Sequence, residues 1–313
     1  MDPERPPKLL LLDSASLYFR AFFGVPDQRK DKAAEPPTNA VRGFLDMIAS
    51  LVTTHEPTHL VACWDNDWRP AFRVDAIPTY KTHRLADGSL EEEQVPDDLA
   101  PQVPVIRDAL AAVGIARVGA DGYEADDVIG TLVHRHRGGM PVDFVTGDRD
   151  LFQLVDDQHG IRVLYTARGG VREPDFVDQA FLAAKYAVPS GRAYADMAVL
   201  RGDSSDGLPG VAGIGEKTAA QLIERYGDLA GLIAAVEEGD PAIKGAQRAR
   251  LEAGLPYLEV APAVVRVAHD APVPAHDGAL PTEVADTDLL GRLAEDYGLT
   301  NSFKRVLTAL DII

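Results

Sequence analysis

The sequence predicts an α/β fold, a parallel-rich central sheet flanked by helices, and two observations carry that prediction. Three short runs, residues 9–12, 60–64 and 142–147, are dominated by apolar residues, and each is followed at once by an aspartate: Asp13, Asp65 and Asp148. Such runs fit strands covered on both faces, where alternation with polar residues is lost. Between the first two, Val41, Phe44, Leu45, Ile48, Leu51 and Val52 recur at helical spacing over residues 39–54, and residues 105–113 and 128–133 form shorter stretches of the same kind. Strands alternating with helices imply a parallel sheet between helical layers. In open sheets of that class ligands bind beyond the carboxyl ends of the strands, which places the three aspartates along one edge.

Composition narrows the class. The chain has 313 residues, 46% hydrophobic and 26% charged, an ordinary globular balance with room for one large core or two modest ones. Its one cysteine, Cys63, forms no internal disulfide and stands in an apolar run, so we read it as a buried thiol in a reducing, cytoplasmic setting. Residues 1–8 lack the apolar core of a signal peptide, and the run at 9–12 stops at Asp13, far short of a membrane span. There are no repeats and no low-complexity tract. A net charge of -18 argues at first sight against a nucleic-acid partner. Divalent ions held among the acids would reverse that locally, so the positions of the acids decide.

The densest group is Glu124, Asp126 and Asp127, three carboxylates within four positions ahead of an apolar stretch. Two full charges about 4 Å apart in a partly buried site cost on the order of 4 kcal/mol, so such a cluster needs cations. On a regular helix Glu124 and Asp127 share a face and Asp126 points elsewhere. Convergence is easier if Glu124 lies just before a helix that the aspartate pair opens, where the helix dipole also helps. The bland alternative is an acidic first turn. Three strand-end aspartates beside this cluster favour a metal site.

A second acidic pair, Asp203 and Asp206, sits in a Gly/Ser/Pro loop after a helix at 192–201, as turn formers unless the loop folds back on the sheet edge. No Cys-rich or His-Glu-x-x-His zinc pattern occurs, and residues 148–152 lack the rest of an EF-hand loop. All-carboxylate ligation suits Mg²⁺ or Mn²⁺. The stretch 210–219 does not complete a nucleotide P-loop, since Glu216 precedes Lys217 and no strand leads in. A Gly213-Ile214-Gly215 hairpin at a helix N-terminus exposes backbone N–H groups that suit a duplex phosphate, with Lys217 and Thr218 adding contacts. A helix-hairpin-helix turn serving packing alone is the alternative.

These motifs together resemble the 5' nuclease family: the nuclease domain of bacterial DNA polymerase I, stand-alone bacterial and phage 5'-3' exonucleases and, more distantly, flap endonucleases. Gly122-Tyr123-Glu124-Ala125-Asp126-Asp127, Thr146-Gly147-Asp148-Arg149-Asp150-Leu151, the loop 202–211 and Gly213-Ile214-Gly215-Glu216-Lys217-Thr218 carry the likeness, with Asp13 before Tyr18-Phe19-Arg20-Ala21-Phe22 and Asp65 before Phe72-Arg73 and Tyr80-Lys81. No polymerase domain follows, as in the free-standing members. The resemblance implies a PIN-like nuclease core at 1–190 with an arch or clamp at about 82–103, a helix-hairpin-helix subdomain at 191–260, and a segment 261–313 that packs back on the core. In that last part residues 264–268 read as a strand and Leu289, Leu290, Leu293, Tyr297 and Leu299 as one final helix.

The resemblance further implies Asp13, Asp65, Glu124 and Asp126 around a first Mg²⁺ or Mn²⁺, and Asp127, Asp148, Asp150, Asp203 and Asp206 around a second, with a monovalent cation such as K⁺ at the hairpin. Arg20, Arg73, Lys81 and Arg84 become candidates for the scissile and neighbouring phosphates, and Tyr80 for stacking on an unpaired base. A solvated surface, or for Tyr80 a half-buried core edge, is the alternative. The implied activity is structure-dependent 5'-3' exonuclease and 5' flap cleavage of DNA, RNA–DNA primer strands included, by a monomer among replication and repair proteins. A junction-binding protein with a dead site and a PIN-type ribonuclease are the rival readings. Asp87 and Glu91 to Glu93, in the stretch 87–93 of the arch segment, stand where bases are expected, and Gly207 stands where the family usually has Asn.

Overall fold

The computed structural model describes residues 6–313. Residues 1–5, which hold the start of the core segment and most of the stretch read as lacking a signal-peptide core, lie outside the described residues. Six strands form one sheet: β1 (Leu9–Asp13), β2 (His59–Trp64), β3 (Ala116–Gly119), β4 (Val142–Thr146), β5 (Ile161–Gly169) and β6 (Glu173–Val177), in the order β3-β2-β1-β4-β5-β6. Every pairing is parallel except that of β6, which closes the edge antiparallel to β5.

The four leucines of β1 explain the two-layer cover. Side chains alternate across a strand, so Leu9 and Leu11 enter one core with Val61, Cys63 and Phe144 while Leu10 and Leu12 enter the other with Leu60, Ala62 and Val145. The second core is roofed by α1 (Ser14–Gly24), α2 (Asn39–His55) and α4 (Gln102–Val113). Short α3 (Ala71–Ala76), α5 (Ala125–His136), α6 (Gln179–Tyr186) and α7 (Gly191–Arg201) lie on the other side and continue into α8 (Glu216–Tyr226), α9 (Leu229–Glu237) and α10 (Gly245–Val265). Cys63 is buried. Among the described residues no helix is long and apolar enough to cross a membrane.

Two expectations fail in the C-terminal part. Residues 264–268 are not a strand: α10 runs through Val265, and residues 266–268 are irregular. Its backbone groups are met by side chains instead, since Val264 and Val265 carbonyls accept from Arg73 and Gln153, and the Val267 and Ala268 N–H groups donate to Gln153 and Asp127. The apolar β-branched run fits a buried helix end as well as a strand. The final helix is two, α11 (Thr287–Asp296) and α12 (Thr300–Ala309), parted at Gly298 with its φ of 64°.

A buried charge in mid-strand is held by two cations. Asp143 on β4 is 2% exposed and sits between Lys8 Nζ at 2.8 Å and Arg162 Nε at 2.6 Å. Burial raises its carboxyl, but the hydrogen bonds from Arg162 and Lys8 outweigh it and hold Asp143 below the ordinary carboxylate range. A lowered folded-state pKa gives stability that is present above the unfolded value and lost as pH falls through the folded one. Asp143→Asn is therefore expected to cost about 1–3 kcal/mol at neutral pH. The gap to the parent should close as pH drops below about 4, in urea unfolding run across that range.

Candidate active site

Strand order places the acids. Because β2, β1 and β4 are neighbours, Asp65, Asp13 and Asp148 stand side by side beyond their carboxyl ends. Each is fixed by local backbone needs: Asp13 caps α1 by accepting from Ser16 N at 3.1 Å, Asp65 accepts from Ala125 N at 2.8 Å, and Asp148 accepts from Asp150 N at 2.8 Å. Thr146 ties two of them, its hydroxyl donating to Asp13 at 2.7 Å and accepting from Asp148 N at 2.9 Å. Asp13, Asp65, Glu124, Asp126, Asp148 and Asp203 line one cavity of about 1000 Å³, and Lys81 and Arg84 line it too.

The start of α5 has the form expected: Glu124 is the N-cap and the aspartate pair opens the helix, with a reciprocal capping box between Glu124 and Asp127. The neighbouring side chains correct three expectations. Arg73 is 2% exposed; its guanidinium donates to Glu124 at 2.6 Å, to both oxygens of Asp127 at 2.7 Å, and to the Val264 carbonyl at 3.0 Å. Tyr80, 3% exposed, donates its hydroxyl to Glu124 at 2.7 Å. Neither presents a surface to DNA. Asp127 is fully buried and accepts from Arg73, from Ala268 N and from Glu124 N, so its oxygens are already satisfied and it is a structural acid rather than a ligand. Lys81 donates to the other oxygen of Glu124.

The second acidic loop does fold back. Asp203 bridges to Leu208, the Asp206 carbonyl accepts from Lys81 N at 2.9 Å, and the Gly207 carbonyl accepts from Thr79 Oγ1 at 3.0 Å. Gly207 has φ 73°, and a Cβ there would come within 2.3 Å of the Thr79 carbonyl oxygen, so glycine alone permits this approach. Arg84 then pairs with Asp206 at 2.8 Å and Arg149 with Asp203 at 3.0 Å.

The electrostatics show a pocket short of positive charge. Burial, with Asp65 and Asp148 adding to it against the Thr146 and Ser16 hydrogen bonds, pushes Asp13 up to about 7. Burial also raises Asp126 and Asp150 well above the usual range, with neighbouring carboxylates adding to it, and raises Asp65 and Asp206. Asp203 is the exception: burial raises it, but the Ser205 hydroxyl and Arg149 hold it low. Asp150 Oδ1 is buried without a hydrogen-bond partner. Among the described residues no three His, Cys, Asp or Glu side chains already stand placed to grip one ion. An all-oxygen donor set, mutual repulsion and an orphaned buried carboxylate oxygen fit hard divalent cations.

Two groups lie elsewhere. Arg20, seven residues or about 10 Å along α1 from Asp13, lies beside Gly170 and lines a separate cleft, so it does not touch the acids. The hairpin leaves Gly213, Gly215 and Lys217 exposed and Thr218 half-buried, with Gly215 as the N-cap of α8. Sequence reading passed over Arg149 and Arg201, which pair with Asp203 and approach Asp150; their signal was adjacency to the acids.

A parallel sheet with a carboxylate pocket beyond its central strands and cations among those acids defines the class, an α/β nuclease. Residues 8–187 match the family described as 5'-3' exonuclease, N-terminal resolvase-like domain, and residues 190–288 its C-terminal SAM fold. A 5'-3' exonuclease of Streptomyces coelicolor is 57% identical over 96% of this chain and 99% of its own. One of Mycobacterium tuberculosis is 47% identical over 97% of this chain and 98% of its own. The bacteriophage T5 flap endonuclease structure superposes with a TM-score of 0.64 at 18% identity, over 97% of this chain and 98% of its own. The chain belongs to the 5'-3' exonuclease family.

Removing Arg73 leaves buried Asp127 without an ion-pair partner and Glu124 with Lys81 alone. Arg73→Met is expected to cost about 3–5 kcal/mol in denaturant unfolding. Arg73→Lys, which keeps charge but not the fork, should recover only part of it. A loss seen in DNA affinity with stability intact would show the side chain to be a DNA contact after all.

Proposed function

We propose that this protein hydrolyses DNA phosphodiesters from a 5' end and at 5' flaps, using Mg²⁺ or Mn²⁺, in primer and flap removal during replication and repair, as a cytoplasmic monomer. The observation that carries this reading is the convergence of acids from five separate segments on one cavity that Lys81 and Arg84 also line. Family membership supports the reaction, and the T5 flap endonuclease was crystallised with DNA and metal ions.

Asp13, Asp65, Glu124 and Asp126 would hold one ion and Asp148, Asp150, Asp203 and Asp206 another. When bound, such ions supply positive charge to the phosphate and to the departing oxygen and make water more acidic. In the hydrolysis a water oxygen bonds to phosphorus as the bond to the 3' oxygen breaks, leaving a 3'-hydroxyl and a 5'-phosphate. Lys81 stays protonated for this work: burial lowers it, but Glu124 beside it raises it well above the ordinary lysine range. In the structure Lys81, Arg84 and Arg149 each lean on an acid. Charge brought to those acids would loosen these pairs and free the basic heads for the substrate phosphates. The exposed hairpin before α8 would hold the duplex at a distance through N–H groups and Lys217.

The reading is tested by cleavage of a 5'-labelled flapped duplex with and without divalent salt. Asp148→Ala should lower the rate by at least about 100-fold while binding in Ca²⁺ stays within about 3-fold of the parent. Parent-like rates would remove Asp148 from the site, and binding without cutting by the parent would favour a junction-binding protein. Lys217→Ala is expected to weaken duplex binding and reduce the slope of log affinity against log salt by about 1; fluorescence anisotropy at several salt concentrations reads it.

A further inference from the structure

Beside the acid cavity, on the β3 side, lies a small basic recess of about 270 Å³ lined by Trp64, Asn66, Val103, Pro104, Arg107 and Arg117. The strand register builds it. Arg117 on β3 pairs with Ala62 on β2, so it shares a face of the sheet with Trp64, two residues further along β2. Its guanidinium lies over the indole, 5.3 Å from the ring centroid. Arg107 comes from α4, which covers the same face. Trp64, Asn66 and Val103 also line the acid cavity, so the two spaces adjoin.

Charge sets this recess apart. In a chain of net charge -18, the cations Lys81, Arg84 and Arg149 each pair with an acid. Arg117 has no ion pair and no hydrogen bond among the described residues, and none of the six residues lining the recess is an acid. Arg107 reaches only Asp108, at 3.6 Å, with both side chains half-exposed, an arrangement worth little in water. Burial lowers the Arg117 guanidinium from its ordinary range and Arg107 adds to that, so Arg117 has a like charge for a neighbour and no anion. The indole occupies one face of this guanidinium and leaves its N–H edge free to donate. Two guanidinium groups on one small space suit the oxygens of a phosphate. The volume lies below the roughly 300–1,000 Å³ of sites that enclose a whole ligand, so the recess admits one anionic group and leaves the rest of the molecule outside.

We propose that Arg107 and Arg117, the latter held in place by Trp64, form a subsite beside the acid cavity for a phosphate monoester, the 5'-phosphate that the hydrolysis leaves. A monoester carries close to two negative charges at neutral pH and a diester one, so cations without an acid partner favour the monoester. The inference rests on the nuclease reading for the source of the ligand.

The test is calorimetric titration of the full chain in EDTA, where no divalent ion draws phosphate to the acids. The parent should bind 5'-dAMP with a dissociation constant of about 1 mM or tighter; inorganic phosphate should bind too, and deoxyadenosine should not. A dinucleoside monophosphate, whose one phosphate is a diester, should bind at least about five-fold more weakly than dAMP. Arg117→Gln should weaken dAMP binding by at least about ten-fold, and Arg107→Gln, an exposed change on a different element, should act in the same direction. Two nicked duplexes that differ only in a 5'-phosphate or a 5'-hydroxyl separate the sources. Arg117-dependent binding of dAMP identifies the released nucleotide as a ligand, and an Arg117-dependent advantage of the phosphorylated duplex identifies the new end of the retained strand. Dependence on Arg117 in neither case overturns the proposal, and so does deoxyadenosine binding as tightly as dAMP. None of these titrations requires cutting, so a parent that leaves DNA whole in Mg²⁺ defeats the nuclease reading separately.

Discussion

Arg73 is 2% exposed, and its hydrogen bonds join helix α3, which carries it, to the first turn of α5 and the last turn of α10. Taking a guanidinium and two carboxylates out of water costs several kcal/mol per ion, and the attraction between them offsets that only where the geometry is good and the remaining hydrogen bonds are made. Both conditions hold: the planar fork meets Asp127 with two parallel bonds and spends its remaining reach on Glu124 and a carbonyl. The consequence reaches the pocket. One oxygen of Glu124 is committed to Arg73 and Tyr80, so the other faces Lys81 and the cavity. A single buried cation therefore fastens α3, α5 and α10 to one another and aims an acid into the pocket.

How far the sequence carried the structure follows from what each residue's position depends on. The leucines of β1 and the aspartates after β1, β2 and β4 were legible because strand period and strand ends are local properties. The edges were not: β3 buries only Val118, the end of β5 is exposed, and β6 buries only Val177, so no apolar run marks them. Arg73, Tyr80 and Asp127 were misassigned for a different reason. An arginine or tyrosine near acids has the same sequence signature whether it faces a phosphate or a buried carboxylate, and only burial separates the two. Arg20 belonged to the right motif and faced the wrong cleft, because a helix carries a residue seven positions on to another part of the surface.

The acidic loop shows why repelling groups can nonetheless be held together. Asp203 and Asp206 reach a pocket built mostly from residues 13–150, and no attraction between carboxylates brings them there. Backbone packing does. A Cβ on Gly202 would come within 2.4 Å of Gly210 N and 2.6 Å of the Leu208 carbonyl oxygen, so the ends of the loop close against each other with no side chain between them. Leu208, Val211 and Ile214 are buried just beyond. The loop is thus seated by apolar burial on one side and by the Gly207–Thr79 approach on the other, and its charges arrive as passengers. Stabilisation of roughly 1.5–3 kcal/mol for each large apolar side chain buried is of the order of the repulsion between two partly buried charges. A folded chain can therefore carry this charge density before any cation arrives, and the raised pKa values of Asp13, Asp126 and Asp150 are the residue of that opposition.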